Sequence, residues 1–180
     1  MNIKPAIAIV LATLACGAAL AEAPRLGVTK IVSIDAPAAK VWDAAKDFNA
    51  LNTWHPAVAT DEIVEGKNNA VGAVRLLTLK GGGTIKEKLL SYDSAGRTFK
   101  YAIIDGVIPV SNYTSTFTVK AAGDNKSTVT WSGHFQRKNV GDNPGDKEDD
   151  KTAKGAITGV YQSGLDNLKK MLEAKEPAAL

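Results

Sequence analysis

Ile34–Pro56, IDAPAAKVWDAAKDFNALNTWHP, is the stretch on which the fold turns. It follows a strand-like run at 26–35, LGVTKIVSID, whose Val28, Ile31, Val32 and Ile34 suit a pleated, half-buried surface. Asp35 reads as an N-cap, and Pro37 falls in the first helical turn, where its missing N–H costs nothing. Val41, Ala44, Ala45 and Phe48 then recur at helical spacing, with Trp42 on a neighbouring face. A second short turn over Ala50–Trp54 is stopped by Pro56, because the residue before a proline is pushed out of the helical region. The spacing therefore predicts a strand followed by two short helices. Trp54 reads as a plug packed over one end of the core.

Downstream, six strand-like runs are separated by turn chemistry: Val58–Glu65, Ala73–Leu79, Thr84–Tyr92, Thr98–Asp105, Ser111–Ala121 and Ser127–Arg137. Lys80–Gly83 (KGGG) is a hairpin tip, and DSAGR (93–97) and AAGDNKS (121–127) are turns. In SNYTSTFTV, Tyr113, Phe117 and Val119 oppose Asn112, Thr114, Thr116 and Thr118. In STVTWSGHF, Val129, Trp131 and Phe135 oppose Thr128, Thr130, Ser132 and His134. One sheet face is thus apolar and aromatic, and the other is solvated. After an acidic loop at 139–150, a long helix from Lys151 to about Ala174 carries an apolar stripe. Its members are Ile157, Val160, Tyr161, Gly164, Leu165, Leu168, Met171 and Leu172. Asp149 and Asp150 stand where negative charge suits the start of that helix.

The first 21 residues are not read as fold. Lys4 precedes an apolar run, and Ala19-Leu20-Ala21 offers small residues for cleavage, the pattern of a secretory signal peptide. A membrane anchor is the competing reading, but the run is shorter than the roughly 20 residues a spanning helix needs. The expectation is an exported, periplasmic protein of residues 22–180 as a single domain, cut near Ala21. Cys16, the one cysteine, lies in this segment, so the mature chain would hold no disulfide, thiolate or Cys-based zinc chemistry. Lipidation of Cys16 stays open as a minor alternative. Removing Lys4 takes the formal charge from +3 to +2, with basic and acidic residues interspersed. A nucleic-acid partner and stable membrane insertion are not expected.

The order of strand, two short helices, six strands and one long helix resembles the helix-grip fold of the START-like (SRPBCC) superfamily, which includes the polyketide cyclase/dehydrase proteins. The resemblance is carried by 34–56 together with VGAVRLLTLKGGGTIKEKLLSYD (71–93), PVSNYTSTFTV (109–119), STVTWSGHF (127–135) and the final helix. It is greatest to exported bacterial members, among them periplasmic methanol-oxidation accessory proteins (MxaD-like). What it implies is an α+β fold: a curved seven-stranded antiparallel sheet around the C-terminal helix, with a cavity between them for a small apolar or amphipathic molecule. It also allows cyclase or lyase chemistry in that cavity, or an accessory role beside a periplasmic oxidoreductase. No cofactor is implied.

Several residues point to the same place. Phe99, Tyr101, Tyr113, Phe117 and Trp131 can all fall on inward strand faces, with Trp54 and Tyr161 closing over them. Gly155, Gly159 and Gly164 each cost up to ~1 kcal/mol relative to alanine inside a helix, which a gap beside the sheet would explain; close packing is the competing explanation. Arg75 shares a face with Ala73, Leu77 and Leu79, and Glu87 with Ile85 and Leu89. A tight tip at 81–83 sets them opposite each other, either as a register-fixing ion pair or as a ligand-orienting pair. The resemblance would set His55 at the cavity mouth as a polar rim residue; it and Glu87 are the candidate bases, and an unperturbed imidazole titrates near about pH 6.5. His134 reads as a surface residue. The acidic residues 142, 146 and 148–150 lack EF-hand spacing, and no metal site is expected.

Overall fold

The computed structural model describes residues 23–141 and 144–174. The expected signal segment with Cys16 therefore lies outside the described residues, as do Asp142 and the tail from 175.

The seven strands are β1 (Leu26–Ile34), β2 (Val58–Glu65), β3 (Val74–Leu79), β4 (Thr84–Asp93), β5 (Thr98–Gly106), β6 (Val110–Ala121) and β7 (Ser127–Arg137). They form one antiparallel sheet in the order β1-β7-β6-β5-β4-β3-β2. Consecutive hairpins build β2 to β7, and β1 closes beside β7. Helix α1 (Ala38–Ala45) and a 3-10 turn at Leu51–Thr53 fill the long connection from β1 to β2. Helix α2 (Asp150–Glu173) lies against β1 and β7. This is the expected curved sheet around a C-terminal helix.

Three local expectations change. Helix α1 starts at Ala38 with Pro37 as N-cap and no side-chain cap bond. Asp35 instead donates its backbone N–H to Glu173 Oε1 at 2.7 Å, tying the end of β1 to the end of α2. Met171 leaves the apolar stripe and is 46% exposed. Gly155 and Gly159 face solvent with open space at their Cβ positions. They make no room for a cavity. Gly164 alone is buried, and a Cβ there would lie 2.6 Å from His55 Cδ2 and 3.0 Å from Trp131 Cζ3.

The N-terminus of α2 is capped by Asp149, whose Oδ1 accepts from Thr152 N at 2.7 Å, while Asp150 pairs with Arg137 at 2.9 Å. Asp149 and Asp150 thus serve the helix start. Below it Ile157, Leu165 and Leu168 are fully buried, each contributing about 1.5–3 kcal/mol of apolar transfer. The aromatic core is continuous from Trp42, on Tyr92 and Phe99, through Phe117 to Trp131.

Candidate functional site

Between the sheet and α2 lies a pocket of about 120 Å3, walled mainly by Leu51, Val58, Leu77, Leu79, Ile85, Ile103, Ile108, Ile157 and Val160. Its polar lining comes from His55, Glu87, Tyr101, Tyr113 and Trp131. These five were among the sequence candidates. Trp54, Arg75, Phe117 and Tyr161 were also expected as contacts, but they stand behind the wall, packed in the core. The aliphatic lining was not singled out from sequence, because buried Leu, Ile and Val look alike whether they pack on neighbours or face a space.

Arg75 and Glu87 face each other in the β3–β4 register, as their alternation predicts. Arg75 Nε donates to Glu87 Oε2 at 2.8 Å, and Nη2 forms an ion-pair contact with the same oxygen at 2.6 Å. The guanidinium also donates from Nη1 to the Phe48 carbonyl at 2.8 Å and to Asp61 Oδ2 at 3.3 Å, and it sits 4.1 Å over the Phe48 ring. Asp61 is the partner that sequence reading missed. Strict alternation sets it opposite Val58, but a bulge between Val58 and Thr60 turns both inward. Its Oδ2 accepts from Leu51 N at 2.9 Å, so one carboxylate ties the 3-10 turn to β2 and to Arg75. Burial raises the carboxyls of Glu87 and Asp61 above their ordinary range, against the opposing pull of Arg75. Arg75 is itself depressed by burial but raised on balance by its two carboxylates.

His55 is buried, not at an open rim. Its Nδ1 accepts from Ala57 N at 3.2 Å, so Nε2 carries the proton and donates to the Val160 carbonyl at 3.0 Å. Burial lowers its pKa below 6.5, keeping it neutral. With both nitrogens engaged, it has no lone pair to act as a base. His134 is exposed, as expected.

The tyrosines form one directed chain. Trp131 Nε1 donates to Tyr101 Oη at 3.0 Å, and Ser115 Oγ donates to the Ser132 carbonyl at 2.9 Å. With both ends set, Tyr161 donates to Ser115 (2.8 Å), Tyr113 to Tyr161 (2.6 Å) and Tyr101 to Tyr113 (3.4 Å). Burial pushes Tyr161 up to about 12 and the other two well above their usual value, so the hydroxyls stay protonated. Tyr161 also stacks on Trp131 with centroids 4.5 Å apart.

Among the described residues, no group of three or more His, Cys, Asp or Glu is placed to hold a metal ion, and no helix is long and apolar enough to cross a membrane.

Comparison with known proteins agrees with this architecture. Among curated proteins, MLP-like protein 423 of Arabidopsis thaliana is 28% identical over 116 residues, covering 59% of this chain and 73% of its own. Among solved structures, the protein XoxI from Bacillus cereus superposes with a TM-score of 0.72 at 31% identity, over 82% of this chain and 96% of that one. A START superfamily protein from Mycobacterium smegmatis shares the fold, with a TM-score of 0.65 at 17% identity over 82% and 97% of the two chains. Residues 25–173 match the family described as polyketide cyclase / dehydrase and lipid transport. The chain belongs to that family.

Proposed function

We propose that this protein binds one small apolar or amphipathic molecule in the pocket between the sheet and α2, without covalent catalysis, and does so in the periplasm after export. The observation that carries the reading is the pocket itself: an aliphatic wall with a few placed polar groups on one side. Its volume of about 120 Å3 is near the roughly 150 Å3 that accommodates benzene in an engineered apolar cavity. The ligand is therefore about the size of one ring. The engaged nitrogens of His55 support binding over base chemistry at that residue. The export reading is supported by Lys4, the apolar run and Ala19-Leu20-Ala21.

Native mass spectrometry of protein purified from its own host tests this, with the same sample denatured as control. The expected result is a stoichiometric added mass, lost on unfolding and absent from Ile157→Trp, which fills the pocket. A bare protein mass, together with no saturable uptake of ring-sized apolar probes, sinks the reading. Recovery in the cytoplasmic fraction at full length would sink the export part.

Glu87 supports a second reading, as general base of a cyclase- or lyase-type reaction. Its Oε2 is held by Arg75 while Oε1 has no hydrogen-bond partner among the described residues. That reading requires turnover that Glu87→Gln abolishes and His55→Gln retains.

A further inference from the structure

The hydrogen-bonding side chains of the pocket wall have spent their protons elsewhere. His55 Nε2–H goes to Val160, Trp131 Nε1–H to Tyr101, and the Tyr101 and Tyr113 hydroxyls run down the chain towards Ser115. What the wall keeps is acceptor capacity, chiefly Glu87 Oε1, because the hydrogen bond and the ion-pair contact from Arg75 to this residue both go to Oε2. A carboxylate or carbonyl ligand would find no side-chain donor there.

The charges around Glu87 are also unequal. Arg75 is the one cation paired, among the described residues, with two buried carboxylates, Glu87 and Asp61. All three side chains are almost sealed from solvent, at 3%, 6% and 0% exposed for Arg75, Glu87 and Asp61. Asp61 Oδ1 has no hydrogen-bond partner among the described residues either. Among the described residues lining the wall there is no second cation to balance this cluster, since His55 is held as a neutral donor. A buried charge surplus of this kind is costly and is relieved by an opposite charge brought to it. Trp131 and Tyr101 add aromatic rings to the same wall, which also suit a cation.

We propose that the pocket selects a small apolar amine, whose ammonium donates to Glu87 Oε1 while its ring or chain fills the aliphatic half. The inference rests on the binding reading above and names the chemical class of its ligand.

Isothermal titration of the wild-type protein at neutral pH with benzylamine, benzyl alcohol, toluene and benzoate tests it. These probes share one ring and differ in charge and donors. A hydrogen bond to a charged group gives benzylamine an advantage of roughly tenfold or more over toluene, with benzyl alcohol between them and benzoate unbound. In Glu87→Gln the advantage of the amine over toluene disappears. Toluene or benzyl alcohol binding as well as the amine, or benzoate binding at all, overturns the inference and leaves the pocket reading standing. Binding by none of the four overturns both. The wild-type series decides the question whether or not the variant folds.

Discussion

Arg75 is held by five groups at once: two carboxylates, one carbonyl and two ring faces. Removing it leaves Glu87 and Asp61 buried without a counter-charge. Arg75→Ala is therefore expected to cost about 3–5 kcal/mol, read as a shift in the urea unfolding midpoint. Arg75→Lys should recover only part of this, because an ammonium cannot reproduce the fork or lie flat on Phe48. A cost under about 1 kcal/mol for Arg75→Ala, the range of an exposed pair, would show that the cluster does not organise this end of the sheet.

His55 gives a prediction with a definite sign. Its folded pKa lies below the ordinary 6.5 because burial disfavours the charged ring. The unfolded chain then takes up a proton before the folded one does, so stability present above about pH 6.5 is lost as pH falls below it. Urea midpoints for wild type and His55→Gln should therefore diverge at pH 7 and draw together towards pH 5. A constant difference between them would contradict the buried neutral imidazole.

At the scale of elements, α2 carries three glycines with opposite demands. Gly155 and Gly159 meet open space, so alanine at either should stabilise the helix by about 0.5–1 kcal/mol. Gly164 lets α2 approach His55 and Trp131, and a Cβ there collides with both rings. Gly164→Ala should therefore destabilise by about 1–3 kcal/mol despite its better helix propensity. Thermal unfolding of the three single variants checks this, with two midpoints rising and one falling. The β2 bulge acts at the same scale. By reversing the alternation between Val58 and Asp61 it delivers a carboxylate, not a threonine, to Arg75.

For the molecule as a whole, the pocket lies between the sheet and the helix that closes it, so an occupant couples to global stability. Benzylamine at about 100 times its Kd should add about 2.7 kcal/mol. For a domain of this size that is a rise in Tm of roughly 5–10 °C. Ile157→Trp should abolish the rise while keeping the folded spectrum. An equal rise in that variant would place the binding elsewhere.

Element identity was legible in the sequence because period-2 alternation in β6 and β7, and the apolar stripe of α2, each reflect a single buried face. Opposed positions in a tight hairpin likewise located the Arg75–Glu87 pair before any tertiary contact was known. The candidate site was legible only in part. Which inward residues face a space and which pack solidly depends on how far α2 stands from the sheet, and that distance is set jointly by Gly164, His55 and Trp131. The role of His55 as a neutral donor depends on the Val160 carbonyl, 105 residues away. The inward turn of Asp61 depends on a bulge that leaves no mark in residue type. Periodicity is a property of one chain segment at a time. Pocket volume, hydrogen-bond direction and charge balance arise where segments meet, so only the tertiary structure could decide them.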